Sequence, residues 1–343
     1  MTSLSAPPEV RADRVTKRGR LGVPLSLALM LAGLLAVSVA SVFVGSRWVS
    51  PSIAFDPADP LHGIFVARWD RTLLGLAAGA ALGLSGALLQ GLTRNPLADP
   101  GILGINAGAS FAMVLGMSVF GVSDLQGYVW YAFAGAAAAM VLVHAIAAVG
   151  RDGATPVKLA IAGAALTAAL GSWTTGVLIT DRQTMEAFRF WQVGTVGGRS
   201  LDVLLTGLPF ILLGVVLGLA STRSLNALAL GDDVARGLGR HIARDRVLVG
   251  VAVVLLAGTA TALAGPIAFV GLIVPHGVRA VVGPDYRKVL PLCLGYGAML
   301  VVAADVVGRV VLPPAEIQAG VMTAIIGVPV FLYLVRRGRV GAL

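Results

Sequence analysis

Few side chains in this sequence have the type and spacing needed for catalysis or metal binding. The four histidines stand in four different segments, and no His-Glu-x-x-His spacing that could hold zinc on a helix occurs. None of the three lysines stands in a Gly-Lys-Ser/Thr phosphate-binding loop, so the chain cannot hydrolyse a nucleotide by that route. The single cysteine, Cys293, permits neither an intramolecular disulfide nor a cysteine-based metal cluster. We therefore predict a protein that is not an enzyme and holds no metal or cofactor.

Asp305 is the clear acidic residue within the apolar segments. Arg309 follows it four residues later, so the two side chains are expected to pair along one face of a helix. Proton-coupled carriers usually need a set of buried acids, so this scarcity argues against a secondary transporter. An ion- or proton-driven carrier or channel nevertheless stays the competing class of function.

The composition is that of a membrane protein. Of the 343 residues, 57% are hydrophobic and only 13% are charged, which is far too apolar for a soluble domain of this length. The net charge of +9 comes from basic residues placed between apolar runs, a distribution that indicates membrane topology and not a nucleic-acid site. The sequence predicts a polytopic, all-α protein that spans a lipid bilayer several times.

Ten apolar runs are each long enough to cross the hydrocarbon core, which is about 30 Å thick. They are Leu21–Val44, Thr72–Leu92, Ile102–Val122, Tyr128–Val149, Leu159–Thr180, Val203–Ala220, Val247–Ala264, Pro266–Val282, Leu290–Val307 and Ala319–Val335. We therefore divide the chain into a basic N-terminal tail (1–20), a ten-helix membrane domain (21–337) and a short C-terminal tail (338–343). Breaks or kinks are expected at Pro96, Pro100, Pro266, Pro275 and Pro329.

The basic residues predict the orientation of these ten crossings. With ten helices, 19 of the 26 lysines and arginines fall on the side of the two termini. The other seven are Arg47, Arg68, Arg71, Arg182, Arg189, Arg199 and Arg309. Because basic residues concentrate on the cytoplasmic side, both termini are predicted to be cytoplasmic, and so is the longest charged interruption, residues 225–246.

The run Thr72–Leu92 carries a small residue at every fourth position. The stripe comprises Gly75, Gly79, Gly83, Ala87 and Gly91. Such a stripe lets another helix approach closely, and helix packing is the favoured interpretation over a substrate path lined by small side chains.

Six collinear motifs resemble those of one transporter family. They are ARWDRTLLGLAAGAALGLSGALLQGLTRNPLADPGILGINAGAS, RFWQVGTVGGR, ALALGDDVARGLG, AGPIAFVGLIVPHGVR, AADVVGR and AEIQAGVMTAIIGVPVFLYLVRR, which lie between residues 67 and 337. The sequence is similar to the permease subunits of iron-siderophore, haem and vitamin B12 ATP-binding-cassette importers of type II. The resemblance implies a second permease subunit, two cytoplasmic ATP-binding subunits and an extracytoplasmic binding protein in the cell membrane. Ferric siderophore is the expected cargo, with haem or vitamin B12 as alternatives.

The resemblance also assigns a coupling segment that would contact the ATP-binding subunits. Its residues are Leu230, Gly231, Asp232, Asp233, Ala235, Leu238 and Gly239. The sequence itself predicts a short helix here, capped by one of the two aspartates and ended by Gly239. Val234, Ala235 and Leu238 are expected on one side of it, ready to enter a cleft in another protein. A solvated loop helix is the alternative.

Two further groups of residues follow from the resemblance. Asn95, Pro96, Leu97 and Thr155 are expected at the cytoplasmic mouth of the translocation pathway, although a plain turn explains the first three equally well. Arg68, Arg71 and Arg309 are expected to receive acidic side chains of the binding protein. Their alternatives are contact with lipid headgroups and the Arg309–Asp305 pair.

Overall fold

A computed structural model describes residues 22–150 and 155–336, and every regular element in those ranges is a helix. We number the helices in chain order. They are α1 Val23–Phe43, α2 His62–Thr93, α3 Ile105–Ser118, α4 Leu125–Ala147, α5 Pro156–Thr180, α6 Arg182–Gln192, α7 Leu201–Ala220, α8 Thr222–Ala229, α9 Asp232–Gly237, α10 Ile242–Ala264, α11 Val270–Val282, α12 Tyr286–Val311 and α13 Ala319–Arg336. The predicted tails, 1–20 and 338–343, lie outside the described residues.

The ten predicted crossings all correspond to apolar helices. Seven of them are long and apolar enough to span a bilayer, and the other three, α3, α11 and α13, are shorter apolar helices. The all-α prediction for a polytopic protein is therefore confirmed.

The start of α2 is the largest error in the predicted boundaries. The prediction began this helix at Thr72 because the charged group Arg68 to Arg71 interrupts the apolar run, whereas the helix begins at His62. The helix continues through these charges because their side chains bind groups on distant segments. Arg71, for example, pairs with Asp305 and Glu316.

The small-residue stripe of α2 packs along α12, which confirms the packing interpretation. Gly79 and Gly83 both face Gly297, so closely that a Cβ atom at either position would overlap the backbone of α12. Gly75 faces Val302 and Gly91 faces Tyr286 on the same helix. Because the stripe brings the two backbones together over the length of the membrane, α2 is the central helix of the chain, with 78% of its spanning window buried.

The predicted prolines fall into two groups. Pro96 and Pro100 lie in the segment between α2 and α3, and Pro266 lies in the break between α10 and α11. Pro275 and Pro329 instead lie inside α11 and α13, which remain helical around them. In this chain a proline coincides with a break between helices only where the residues around it are also non-helical.

Helix α6 was not predicted. It is a short amphipathic helix whose apolar side buries Phe188 and Trp191, and its first turn is capped by Asp181, which accepts a hydrogen bond of 3.1 Å from the amide of Thr184. Its polar side carries Arg182, which is 88% exposed. The helix is too polar to be recognised as a membrane crossing, and it closes one end of the bundle.

The side-chain contacts define two ends of the helical bundle. The α9 end contains Arg94, helices α8 and α9, and the starts of α10 and α12. The α6 end contains α6, the starts of α2 and α7, and the end of α12. The candidate functional groups lie at these two ends.

Candidate functional site

Helix α9 is a short element at the α9 end, set between two glycines with positive φ. Gly231 precedes it with φ 103°, and Gly239 follows it with φ 76°. The amide of Gly239 donates to the carbonyl of Arg236 at 2.9 Å, and the amide of Arg240 donates to the carbonyl of Ala235 at 3.0 Å. This pair of bonds is the Schellman arrangement, which needs a left-handed residue at Gly239. The left-handed backbone conformation of Gly239 therefore explains its predicted role as the residue that ends the helix.

The two sides of α9 differ from the prediction in one residue. Ala235 is fully buried against Ala227, Leu228 and Ile242, so it faces the bundle and not the same side as Val234 and Leu238. Exposed apolar side chains instead stand four residues apart before, within and after the helix. We call them the α9 ridge, which comprises Leu230 (64% exposed), Val234 (49%) and Leu238 (61%). Three large exposed apolar side chains within one polar segment are typical of a protein contact.

Asp232 does not cap α9, contrary to the prediction. The cap position is Gly231, with no side-chain hydrogen bond, because the carboxylate of Asp232 is bound elsewhere. One of its oxygens lies 2.6 Å from Arg94, which ends α2, and the other lies 2.9 Å from Arg246 on α10. Asp233 pairs with Arg236 of its own helix at 2.8 Å. Asp232 therefore connects the α9 ridge to two membrane helices, and Asp233 connects it to none of the described ones.

We expect Asp232→Lys to reduce transport by about ten-fold or more. Its two arginine partners are 38% and 27% exposed, so each ion pair contributes only about 1 kcal/mol, but reversal turns both contacts into repulsion. The matched control is Asp233→Lys, which changes the same charge one residue away on a side chain that is 97% exposed. Equal transport by both variants, with equal amounts in the membrane, would contradict a coupling role for Asp232.

Other polar contacts fix α8 to the same end. The guanidinium of Arg240 contacts Ser224 and forms two hydrogen bonds to Asp245, of 2.9 and 2.8 Å. The side-chain amide of Asn226 donates to the carboxylate of Asp285, at the start of α12, over 2.8 Å. Hydrogen bonds from the backbone amide of Arg287 and from the side-chain amide of Asn226 hold the pKa of Asp285 below its ordinary value. These contacts connect α8 to the starts of α10 and α12.

Gln90 and Arg279 are a buried polar pair that the sequence analysis did not single out. Gln90 is fully buried inside α2, where it donates to the carbonyl of Gly271 at 3.2 Å and accepts from Arg279. Arg279 also lies over the ring of Tyr286, with 5.7 Å between the guanidinium carbon and the ring centroid. A glutamine within an apolar run was the available signal, since such residues rarely face lipid.

Three of the four predicted gate residues, Asn95, Pro96 and Leu97, lie directly after α2. The side-chain oxygen of Asn95 accepts the amide of Leu97 at 2.9 Å, and both side chains are exposed. Thr155 caps α5 by accepting the amide of Lys158 at 3.3 Å. The intervening residues 100–103 pack against α5, where a Cβ at Gly163 would overlap the carbonyl of Ile102. These contacts explain the local turns, and the gating role of Asn95, Pro96, Leu97 and Thr155 stays a prediction.

The three arginines predicted to dock a binding protein are used within the chain. Arg68 is 8% exposed and donates to the carbonyls of Val42, Phe43 and Arg47. Arg309 is 1% exposed and donates to both oxygens of Ser41. The prediction that Arg68 and Arg71 lie before α2 is wrong, because α2 begins at His62 and contains both residues. The docking role itself stays a prediction, and burial counts against Arg68 and Arg309 as direct contacts.

Asp305 connects Arg71, the third of these arginines, to the buried Arg309. It accepts from Arg71 at 2.7 Å, and its other oxygen lies 3.2 Å from Arg309 Nε. The Nε hydrogen of Arg309 does not point at that oxygen, so the contact is an ion pair without a hydrogen bond. The predicted Asp305–Arg309 pair is therefore confirmed. Glu316, which the sequence analysis did not identify, accepts from Arg71 at 2.7 Å.

A cavity of about 350 Å³ opens beside Arg71 at the α6 end. Its polar lining comes from four segments that lie far apart in the sequence. These residues are Arg71, Tyr128, Thr195, Arg199, Glu316 and Gln318, and Trp191 of α6 forms part of the wall. The sequence analysis quoted the stretch 189–199 only as a motif and gave these residues no role.

Comparison with known proteins identifies the family. The profile of the FecCD transport family matches residues 33–337, which is most of the chain. The chain belongs to this family. It is 42% identical over 319 residues to the permease protein YfiZ of Bacillus subtilis (strain 168), assigned to siderophore transport, covering 92% of this chain and 96% of the relative. It is 41% identical over 327 residues to the ferric enterobactin permease protein FepD of Escherichia coli (strain K12), covering 93% and 98%.

A solved structure supports the same assignment. The chain matches an inward-facing metal-chelate type ABC transporter with a TM-score of 0.81 and 29% identity, over 92% of this chain and 99% of that one. The FecCD protein described here is therefore a multi-pass membrane protein and a permease subunit, a transport component and not an enzyme. The prediction made from the six motifs is confirmed at this level.

Proposed function

We propose that this FecCD protein forms half of the translocation pathway of an ATP-driven importer for ferric siderophores. It would work with a second permease subunit, two cytoplasmic ATP-binding subunits and an extracytoplasmic binding protein. The α9 ridge is the observation that carries this proposal, because it offers an ATP-binding subunit an exposed apolar contact held rigidly by ion pairs. The cargo follows from the siderophore relatives YfiZ and FepD.

The energy for transport would enter through the α9 ridge. Movement of an ATP-binding subunit would shift Leu230, Val234 and Leu238, and the rigid Asp232 contacts would pass that shift to Arg94 and Arg246. Arg94 directly precedes Asn95, Pro96 and Leu97, so the same contact reaches the proposed gate. This chain of contacts gives ATP hydrolysis in a partner subunit a mechanical route to the pathway.

The pathway itself is proposed to run along α5. Only 22% of the α5 spanning window is buried within the chain, and its exposed side carries the hydroxyl groups of Thr167, Ser172 and Thr175. Polar side chains on a spanning helix favour a water-filled cavity or a partner helix over lipid. A second permease subunit facing α5 would enclose such a cavity, with Thr155 near its mouth.

The α9 end is proposed to face the cytoplasm, with both termini. The excess of lysine and arginine on that side supports this orientation. The cell membrane would then hold residues 21–337 as one permease domain, with tails 1–20 and 338–343 in the cytoplasm. The α6 end would receive the binding protein. There the buried contacts of Arg68 and Arg309 would stabilise the surface. Arg71 and Glu316 are the more accessible charged groups.

Reconstitution tests the proposed function directly. We expect proteoliposomes that contain this chain, its ATP-binding subunit and its binding protein to take up a radiolabelled ferric siderophore only when ATP is present. Uptake driven by an ion gradient without the ATP-binding subunit would instead establish the competing class, an ion-coupled carrier.

The α9 ridge provides a more local prediction. Leu238→Asp places a charge in the proposed contact and should weaken binding of the ATP-binding subunit by about 30-fold, which corresponds to roughly 2 kcal/mol. The control is Leu238→Met, which keeps an apolar side chain of similar size. Copurification measures the result. Undiminished copurification and uptake by Leu238→Asp would exclude the ridge as the coupling contact.

A further inference from the structure

One arginine in the wall of the cavity at the α6 end has no acceptor. Arg199 lines this cavity of about 350 Å³ and forms no hydrogen bond or ion pair with any residue that the structure describes. Its Nε and the indole Nε1 of Trp191 are shielded from water, so neither of these two atoms opens into the cavity. The terminal nitrogens of Arg199 are not shielded in this way, so they are the donors available to an occupant. A guanidinium without a partner in the wall of a cavity favours an acceptor from outside the chain.

The charges around the cavity leave Arg199 without an acidic neighbour. Arg71 and Arg309 are matched by Asp305 and Glu316. Arg199 forms no ion pair with any described acid, and burial alone lowers the pKa of its guanidinium. An arginine stays protonated under such conditions. The cavity therefore carries one uncompensated positive charge, on a guanidinium whose terminal nitrogens have no acceptor among the described residues.

We propose that this cavity is an entry subsite for a negatively charged oxygen group of the ferric chelate, bound by the terminal nitrogens of the Arg199 guanidinium. The subsite deepens the proposed function and rests on it. A carboxylate or catecholate oxygen accepts from these donors, and a charge-assisted bond to a guanidinium is about twice as strong as a neutral one. The polar side chains of Thr195 and Gln318 lie in the same wall.

The dimensions of the cavity agree with part of a chelate. Binding pockets for small molecules have volumes of about 300–1,000 Å³, so 350 Å³ accommodates one charged arm of a ferric chelate and not the whole molecule. The subsite would therefore select for charge. It favours chelates with anionic arms, such as ferric citrate, over neutral ferric trihydroxamates.

Transport kinetics test the subsite in the reconstituted transporter. We expect Arg199→Gln to raise the KM for ferric citrate by about ten-fold, with little change for a neutral ferric trihydroxamate. Arg182→Gln is the matched control, since Arg182 lies on the exposed side of α6 and pairs with Glu186. An unchanged KM in Arg199→Gln, or equal increases for both chelates, would overturn the subsite.

Direct binding keeps this proposal distinct from the proposed function. Equilibrium dialysis of radiolabelled ferric citrate against the purified full chain should show binding that Arg199→Gln weakens and Arg182→Gln does not. Arg199-dependent binding without ATP-driven uptake of any chelate would overturn the proposed function and support the subsite. ATP-driven uptake of ferric citrate that is insensitive to Arg199→Gln would do the reverse. Binding that is equal in parent and variant, or absent from both, would overturn the subsite alone.

Discussion

Gly83→Leu is expected to abolish the folded, purifiable form of this protein. A Cβ atom at this position would overlap the carbonyl oxygen of Cys293 and would lie 3.0 Å from Cα of Gly297. Both groups are backbone of α12, so neither can rotate away as a side chain would. Overpacking a tight contact costs about 1–3 kcal/mol even where side chains can adjust, and the cost here should exceed that range. Size-exclusion profiles and thermal melting in detergent measure the loss.

The control for this prediction lies on the same helix. Gly63→Leu makes the same substitution in the first turn of α2, where no heavy atom lies within 4 Å of the added Cβ. We expect that variant to remain monodisperse, with a melting temperature near the parent value. A stable Gly83→Leu protein would mean that α2 and α12 separate easily, and the central role of the glycine stripe would then be wrong.

The bundle could be predicted because its determinants are local in the sequence. An apolar run of sufficient length crosses a bilayer wherever it stands, so composition alone located ten helices. The stripe through Gly79 and Gly83 likewise identified a packing face from spacing alone. The start of α2 could not be found in this way. The partners of its charged residues are distant in the sequence. Arg71 binds Asp305 and Glu316, more than 200 positions along the chain, and Arg68 binds carbonyls at the end of α1.

The functional ends were predicted less completely. The glycines around α9 indicated where a short helix begins and ends, but six residues contain too few turns to define its buried face. Ala235 was therefore assigned to the wrong side. The bridging role of Asp232 depends on Arg94, which is 138 positions distant, and no spacing rule connects the two. The Trp191–Arg199 cavity similarly requires four separate segments to meet.

The buried charges at the α6 end lead to the second large effect. We expect Asp305→Ala to destabilise the fold by about 3–5 kcal/mol, because it removes a buried acid that contacts both Arg71 and Arg309. The side chain of Arg309 is 2% exposed and would keep only its contacts to Ser41, so its charge would lose its counterion in an apolar environment. Breaking a buried ion pair from one side costs more than the pair contributes, because the remaining charge cannot regain water. Thermal melting of the purified protein measures this loss.

Glu316→Ala supplies the comparison that decides whether burial is the cause. It also removes an acid 2.7 Å from Arg71, but the side chain of Glu316 is 36% exposed, so water can replace it. We expect a cost of only about 0.2–1 kcal/mol for this variant, as for other exposed ion pairs. If the two variants melt at the same temperature, Asp305 does not hold the buried charges together. Arg309 would then have to reach solvent or a partner, and its direct role in docking a binding protein would be supported after all.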